Sequence, residues 1–544
     1  MKIALAQINP TIGDLPGNTQ KHLDAIAAAR QQGAALVVFP ELSILGYPPR
    51  DLLAKGRLIE DVAEAVAQVA AACHGIAALV GFVRRTPNGK GRPLQNAAAL
   101  LVDGAIQHTH IKTLLPTYDV FDETRYFEPG DRLGCFELDG QTIGVSICED
   151  LWDAEALGVE LYGDDPVGHL KAAGAEIIIN MAGSPFQLFK AGLREDLFER
   201  QAKRHDTPIL SVNQVGGNDE LVFDGSSCAF SADGELLGRA HSFQEDLLLI
   251  DLPNRGRLEP LVYPMERLYD ALTLGLRDYA HKCGFTSAVL GLSGGIDSAL
   301  VAAIAADALG AENVVGLAMP SRYSSDHSLS DAEACARNLG IRYEVVPIAP
   351  MHDAFESQLR ELLADGNVQI AEENIQARTR GVMVMAFSNA YGHLPLATGN
   401  KSELSVGYCT LYGDMCGGLA PIGDVLKMTV YALCEWLNRE GERIPRNILT
   451  KPPSAELKPG QVDQDKLPPY EVLDEILRRY VEEDQPAGAI VDAGIDAETV
   501  RHIVRMVDLS EYKRRQAAPT LKVTARAFGA GRRMPIAQRY RPGR

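Results

Sequence analysis

The sequence lacks the features that mark a disulfide-stabilised, thiolate-metal or membrane-spanning protein. Its nine cysteines, spread over 544 residues, form no C-x-x-C pair, which disfavours a disulfide framework and a thiolate zinc site. No apolar run approaches the roughly 18 residues of a spanning helix, and the first residues lack the long apolar segment of a signal peptide. We therefore expect a cytoplasmic protein with no membrane partner, in which any special cysteine acts alone as a nucleophile.

Positive charge is also scarce. The formal net charge is −19, from 53 Lys and Arg against 72 Asp and Glu, so nucleic acid is not an expected partner. The exception is the basic tail, residues 512–544, which holds ten Lys or Arg and no Asp or Glu. Such a tail is most often a disordered arm that binds nucleic acid. Its apolar residues favour the alternative, a tail that packs and neutralises a polyanionic substrate near its start.

The chain is long enough for two large domains, and 46% hydrophobic residues are typical of a globular protein. Up to residue 252, β-rich runs alternate with Ala-rich stretches, and hairpin signals at Asp103-Gly104 and Asp233-Gly234 predict an α/β sandwich with mixed sheets. Residues 253–264 lack periodicity and indicate a linker. From 265 to 544, a β-α-β-α-β order predicts a Rossmann-like, doubly wound parallel sheet.

Three polar residues follow predicted strands in the first half: Glu41, Lys112 and Cys148. Taken singly, each has an ordinary interpretation, as a surface carboxylate, a lysine that reaches solvent and a buried core cysteine. Taken together they make chemical sense. A thiol needs a base to remove its proton, and a fixed ammonium stabilises the oxyanion that forms when a thiolate attacks a carbonyl.

The sequence segments around these residues resemble the signature blocks of the nitrilase (carbon–nitrogen hydrolase) superfamily. They are FPELSILGY, IKTLLPTY and SICEDLW. The resemblance implies an αββα sandwich over residues 1–252, with Cys148 as nucleophile, Glu41 as general base and Lys112 as transition-state stabiliser. Glu123 falls where the family often keeps a second glutamate, and a structural salt bridge is an equal alternative for it.

Within this superfamily, the sequence resembles the members that cleave the side-chain amide of free glutamine. That resemblance implies glutamine contacts from Tyr118, Ser184 and Lys190. Ser184 precedes Pro185, so a role in a turn is equally open. His108 and His110 share one strand face but lack a third ligand, and we assign them to packing.

In the second half, a glycine-rich loop at residues 291–298 (GLSGGIDS) lies between a predicted strand and a helix. Glycines let the backbone approach phosphate, and the helix N-terminus offers unpaired N–H groups. The chain has no Walker A motif. The S-G-G-x-D-S pattern instead resembles the pyrophosphate loop of N-type ATP pyrophosphatases, which implies ATP as co-substrate and Mg²⁺ on Asp297; helix capping is the alternative for that aspartate. The implied ATP contacts are Gly291, Leu292, Ser293, Gly294, Gly295, Ile296, Asp297 and Ser298.

Later blocks resemble the NAD synthetase family: NIQARTR (374–380), ATGNKSE (397–403), YGD (412–414), PIGDVLK (421–427), KPPSAEL (451–457) and EYKRRQ (511–516). The resemblance implies that Glu403 joins Asp297 on the metal. It also implies two sets of contacts: with ATP, from Arg378, Thr398, Lys427 and Ser454, and with deamido-NAD⁺, from Asn374, Glu403, Asp414 and Lys513.

These positions also have ordinary interpretations. Arg378 and Lys427 could be solvated helix charges, and Glu403 a surface residue. Residues 451–470 could be a plain long loop, although a lid that orders over substrate is favoured.

The two halves together imply an amidotransferase. L-glutamine would supply ammonia, and ATP would activate the carboxylate of deamido-NAD⁺ as an adenylate, giving NAD⁺, AMP, pyrophosphate and glutamate. Because ammonia is mostly protonated near neutral pH, we expect a protein channel between the sites. Family members are usually homo-oligomers. The alternatives are another amidotransferase of the same ATP-splitting group, and a catalytically inactive half that serves as a binding module.

Overall fold

The computed structural model describes residues 1–87, 91–131, 134–454, 456–458 and 460–540. The chain divides into two units, Met1–Tyr263 and Pro264–Arg544.

Two six-stranded sheets with both parallel and antiparallel neighbours form the centre of the first unit. In spatial order, the first sheet contains β14 (Asp246–Asp251), β1 (Lys2–Gln7), β2 (Leu36–Val38), β3 (Ala77–Arg85), β4 (Leu94–Val102) and β5 (Ala105–Ile111). The second contains β13 (Leu236–Arg239), β12 (Cys228–Phe230), β9 (Ile209–Asn213), β8 (Ile177–Ala182), β7 (Gln141–Ile147) and β6 (Cys135–Leu138). A separate hairpin pairs β10 (Val215–Asn218) with β11 (Leu221–Asp224).

Helices cover the outer face of each sheet. They are α1 (Leu15–Gln31), α2 (Leu58–Ala71), α3 (Ala154–Leu157), α4 (Pro166–Ala172) and α5 (Lys190–His205). The alternation of β1 shows how the layers form. Ile3 and Leu5 enter the core between the sheets, whereas Ala4 and Ala6 enter the core beneath the helices. The predicted αββα sandwich is confirmed.

The segment that follows β14 stays with the first unit. The Gly256 amide donates to the Leu237 carbonyl at 2.7 Å, and the Glu259 amide donates to the Arg239 carbonyl at 3.1 Å. The stretch predicted as a linker therefore runs beside β13 before α6 begins at Pro264.

The second unit is built on a four-stranded, fully parallel sheet, as predicted. Its spatial order is β17 (Arg342–Val345), β16 (Val314–Ala318), β15 (Ala288–Gly291) and β18 (Leu394–Leu396). The helices are α6 (Pro264–Lys282), α7 (Ile296–Leu309), α8 (Asp326–Leu339), α9 (Ala349–Leu359), α10 (Val368–Tyr391), α11 (Lys401–Val406), α12 (Lys427–Leu437), α13 (Arg446–Thr450), α14 (Tyr470–Leu477), α15 (Ala487–Asp492), α16 (Ala497–Leu509) and α17 (Glu511–Arg514). Chain order reverses beside β15, where doubly wound sheets bind ligands.

The basic tail packs on the second unit through internal contacts. Arg514 is buried and donates to the carbonyls of Ser405 and Val507. The buried Lys401 ammonium lies 2.9 Å from Asp424 Oδ1 and donates to the Thr524 hydroxyl and the Arg526 carbonyl at 2.6 and 2.9 Å. Arg541 and Arg544 of the tail lie outside the described residues. Within the part of the chain that the structure describes, no helix is both long and apolar enough to cross a membrane.

Candidate active sites

The candidate nucleophile of the first unit lies in a sharp turn. Cys148 follows β7 directly, begins a 3₁₀ turn that ends at Leu151, and has a φ of +47°. Non-glycine residues adopt this conformation only where the surroundings impose it. Asp150 stabilises the turn by hydrogen bonds. Its Oδ2 accepts from the Ile147 amide at 3.0 Å, and its Oδ1 accepts from the Leu114 amide at 2.7 Å. Asp150 thus joins the turn to the segment that carries Lys112.

A buried ion cluster supplies the other predicted groups. Lys112 Nζ donates to Glu41 Oε1 at 2.7 Å and to Glu123 Oε1 at 2.8 Å. Glu41 Oε2 accepts from the Gly183 amide at 3.0 Å, and Tyr47 donates its hydroxyl to Glu123 Oε1 at 2.8 Å. Glu41 and Lys112 are 1% and 0% exposed, so the surface interpretations of both residues are wrong. Glu123 does form the salt bridge that was one of its two alternatives.

Burial sets the protonation of this cluster. It raises the pKa of the Cys148 thiol well above its ordinary value; the charge of Glu41 adds to the effect and Lys112 opposes it. The resting cysteine is therefore a thiol, which needs a base. Burial alone would lower the pKa of Lys112, but Glu123 and Glu41 raise it well above its usual range. Burial also raises the pKa of Glu123 to about 7, with Glu41 adding to the rise.

The three predicted glutamine contacts lie in different local settings. The Tyr118 hydroxyl donates to Glu149 Oε1 at 3.0 Å. Lys190 is the first residue of α5, and its ammonium lies 5.3 Å from the centre of the Trp152 ring. Ser184 is buried, and its hydroxyl has no hydrogen-bond partner. A buried hydroxyl without a protein partner is able to hydrogen-bond a ligand.

The sequence reasoning missed Glu149, although it is the residue next to Cys148. Its carboxylate accepts from the hydroxyls of Tyr118 and Tyr162 at 3.0 and 2.9 Å, and burial raises its pKa.

His110 is buried with both ring nitrogens lacking hydrogen-bond partners, and its Nε2 lies 3.8 Å from Asp150 Oδ2.

The predicted phosphate loop borders a cavity of about 310 Å³ in the second unit. The loop joins β15 to α7 at the carboxyl edge of the sheet, where helix N–H groups are free to bind anions. The predicted residues that line the cavity are Gly291, Leu292, Ser293, Gly295, Ile296, Asp297, Ser298, Thr398, Glu403, Asp414, Lys427 and Ser454.

Gly294 holds the loop against α8. Its φ is +75°, and a Cβ placed there would lie 2.2 Å from the Ser328 carbonyl oxygen. Only glycine allows this approach.

Lys427 is buried between two carboxylates. Its Nζ lies 2.5 Å from Asp297 Oδ2 and 3.5 Å from Glu403 Oε1, and the Asn400 side chain donates to Asp297 Oδ1 at 2.9 Å. Burial alone would lower the pKa of Lys427, but Asp297 and Glu403 raise it. The interpretation of Lys427 as a solvated charge is wrong. Asp297 likewise does not cap its helix, because α7 has no side-chain cap.

The donor set around Asp297 fits Mg²⁺. Asp297 and Glu403 both line the cavity, and carboxylate oxygens are the hard ligands that Mg²⁺ prefers. Burial, and then the charge of Asp297, raise the pKa of Glu403 to about 8. The part of this rise that comes from Asp297 is the repulsion of two neighbouring carboxylates, and a divalent cation would relieve it.

Besides Gly294, three predicted residues do not line the cavity. Arg378 is exposed and donates to the Leu411 carbonyl at 3.1 Å. Asn374 accepts from the Thr410 hydroxyl at 2.9 Å, and the Lys513 ammonium donates to the Gly407 carbonyl at 2.7 Å. These bonds attach the three side chains to residues 407–411, a segment that lines the cavity through Tyr408 and Thr410.

Other cavity residues escaped the sequence reasoning. Arg380 lines the cavity, donates to the Met319 carbonyl at 3.0 Å, and has a pKa that burial lowers. Glu456 accepts from the Ser328 hydroxyl at 2.7 Å, and Lys451 lies 3.2 Å from Asp331 Oδ2. Lys451 and Glu456 are thereby bound to the first half of α8. Ala455 of the KPPSAEL block lies outside the described residues, as does Pro459 of the segment considered as a lid.

Comparison with known proteins identifies both units. The carbon–nitrogen hydrolase family matches residues 2–258, and the NAD synthase family matches residues 268–517. The chain is therefore of the class in which a carbon–nitrogen hydrolase unit precedes an NAD synthase unit.

Full-length relatives give the particular family. A glutamine-dependent NAD(+) synthetase of Synechocystis sp. is 51% identical over 99% of both chains, and one of Thermotoga maritima is 42% identical over 99% of both. A solved glutamine-dependent NAD⁺ synthetase from Acinetobacter baumannii, in complex with adenosine diphosphate, has a TM-score of 0.79 at 40% identity and covers 98% of each chain. The chain belongs to the family of glutamine-dependent NAD(+) synthetases.

Proposed function

We propose that this chain is a carbon–nitrogen ligase that hydrolyses L-glutamine in its first unit and uses the ammonia to amidate deamido-NAD⁺ in its second. The observation that carries the proposal is the buried Glu41–Lys112 pair beside a protonated Cys148, in one chain with a phosphate-loop cavity. We assign hydrolysis to residues 1–252 and synthesis to 265–544, with 253–264 as the connection.

In the first unit, Glu41 takes the Cys148 proton as the sulfur attacks the amide carbon of glutamine. The Lys112 ammonium stabilises the oxyanion, and the proton passes from Glu41 to the leaving nitrogen, so ammonia departs from a glutamyl thioester. Glu41 then removes a proton from water as the water oxygen attacks the thioester carbon. The C–S bond breaks, the proton passes from Glu41 to the Cys148 sulfur, and glutamate leaves. Tyr118, Ser184 and Lys190 surround the amino-acid end of the substrate, and the unpartnered Ser184 hydroxyl supports this assignment.

In the second unit, the loop 291–298 and Lys427 hold the phosphates of ATP while the nicotinate carboxylate attacks the α-phosphorus. Pyrophosphate leaves, and ammonia then displaces AMP from the adenylate to give the amide. The adenosine diphosphate in the Acinetobacter baumannii structure supports an adenine nucleotide as ligand. Mg²⁺, held by Asp297 and Glu403, would neutralise phosphate charge.

The remaining site assignments rest on the family resemblance. Thr398, Ser454 and Asp414 line the cavity and are proposed to contact the two nucleotides. For Arg378, Asn374 and Lys513 to contact ligand, their present bonds to the cavity wall must exchange. Assembly into a homo-oligomer and location in the cytoplasm stay predictions.

The test uses the full chain with deamido-NAD⁺, ATP and Mg²⁺, and either glutamine or ammonium as nitrogen donor. We expect Cys148→Ala to abolish glutamine-driven NAD⁺ formation and to leave ammonium-driven formation intact. Asp297→Asn should abolish both while glutamate release from glutamine continues. Loss of both activities in Cys148→Ala, with the protein folded, would refute the division of labour.

A further inference from the structure

Asn96 is a buried amide beside the general base. It lies on β4 and is 1% exposed, and its Nδ2 donates to Glu41 Oε1 at 2.7 Å. The same oxygen accepts from Lys112 Nζ at 2.7 Å. The Asn96 backbone carbonyl also accepts from the Lys112 amide at 2.9 Å. Asn96 thus contacts both the base and the residue that carries the ammonium.

The orientation of this amide follows from one bond. Asn96 Oδ1 is buried and has no hydrogen-bond partner. Turning the amide over would place that oxygen against the Glu41 carboxylate, where two acceptors repel. An unpartnered buried oxygen is unfavourable, so packing alone would favour an apolar side chain of similar volume at this position. The bond to Glu41 is the favourable contact that opposes this preference.

We propose that Asn96 is the positioning residue of the glutaminase base. Its side chain and Lys112 occupy Glu41 Oε1, and the Gly183 amide at 3.0 Å fixes Oε2. The carboxylate is thereby held in one plane. This inference rests on the proposed function, because it assigns Asn96 a part in glutamine hydrolysis.

The charged surroundings of Glu41 make the role measurable. The titratable groups that face it are Lys112, Glu123, Cys148 and Tyr47. Asn96 differs from them in being a neutral side chain that donates to Glu41, as the Gly183 backbone amide also does. A neutral hydrogen-bond donor favours the charged form of a carboxylate, so the pH dependence of glutamine hydrolysis is the property that loss of the Asn96 donor would change.

Two variants with the same side-chain branching as asparagine test the proposal. Asn96→Leu removes the donor, and we expect glutamine-driven kcat to fall about ten- to hundredfold, with a smaller change in KM. Asn96→Asp places a second carboxyl against Glu41, and the pair then shares a proton. We expect the acid limb of its glutamine-driven pH profile to move up by about one pH unit or more.

The control is Asn18→Leu. Asn18 is also buried in the first unit, but its amide donates to the backbone carbonyls of Thr11 and Ile44. This variant should lower the melting temperature and leave the pH profile in place. Ammonium-driven NAD⁺ formation is measured for every variant and should stay at the wild-type level.

The outcomes separate the two proposals. If the wild-type protein forms NAD⁺ from neither donor, the proposed function fails. If the wild type is active but Asn96→Leu and Asn96→Asp keep its glutamine-driven kcat and acid limb, the assignment of Asn96 is overturned. A lowered melting temperature with an unmoved pH profile would reduce Asn96 to a structural residue and also overturn it.

Discussion

Glu123 gives a prediction whose size follows from the structure. Its carboxylate is 4% exposed, and burial raises its pKa from 4.5 to about 7. That value already includes the attraction of Lys112 and the hydrogen bond from Tyr47, both of which lower it. A rise of about 2.5 pH units at 1.36 kcal/mol per unit means that ionised Glu123 costs the first unit about 3 kcal/mol.

The change to make is Glu123→Gln, which keeps the shape and an acceptor for Lys112 but removes the charge. A folded-state pKa above the unfolded value makes the penalty absent below pH 4.5 and complete above about pH 7. The variant should therefore match the wild type near pH 4.5 and exceed it at pH 8. For a unit of this size, about 3 kcal/mol corresponds to roughly 6 to 12 °C in melting temperature.

The assay is scanning calorimetry of the full chain between pH 4.5 and pH 8. The matched control is Glu137→Gln, which removes an exposed carboxylate from the same unit and should change little at any pH. Glutamine-driven turnover of Glu123→Gln should fall because Lys112 loses a charged partner, while ammonium-driven turnover is kept. A melting-temperature difference that does not depend on pH, or a destabilised variant at pH 8, would refute the reasoning.

Two other substitutions have clear expected results. In Ser184→Ala, the lost hydroxyl should raise KM for glutamine about five- to tenfold with little change in kcat, and an unaltered KM would exclude Ser184 from the glutamine site. In Lys427→Met, Asp297 and Glu403 lose the ammonium between them. Both glutamine-driven and ammonium-driven NAD⁺ formation should then fall more than about a hundredfold, because two facing carboxylates repel ATP phosphates. Glutamate release should continue in that variant; if NAD⁺ formation also persisted, Lys427 would have no part in the synthetase site.

The predicted catalytic groups could be read from local sequence because each follows a strand end. Glu41 and Cys148 come directly after buried runs, Lys112 comes directly after β5, and the surrounding segments are distinctive. Asn96 has no such position. It lies within β4, where Gln95 and Asn96 are two adjacent amides in a strand of otherwise apolar residues. Its partner is 55 positions away in sequence, so the contact depends on how β3 and β4 bring distant residues together.

The nucleotide cavity shows a second limit, which is helix phase. Arg378 and Arg380 belong to the same block, but residues two apart on a helix point about 200° away from each other. Arg380 lines the cavity and Arg378 is exposed, although only Arg378 was predicted as a contact. The sequence identified the block. The packing of α10 on the sheet decides which arginine faces the cavity. That packing is a tertiary contact, which the local sequence does not specify.

The contacts of Lys401 show that the basic tail contributes to the structure of the second unit. Its ammonium is fully enclosed, and two of its oxygen partners, from Thr524 and Arg526, come from the tail. The same Thr524 hydroxyl and amide are anchored by Asp424. A chain that ended before Thr524 would leave the Lys401 ammonium with only Asp424 and Glu482 as partners. Water would then enter the space that the tail had filled. Deletions from the carboxyl end that reach Thr524 would therefore remove contacts of α11, the helix that also carries the cavity residue Glu403.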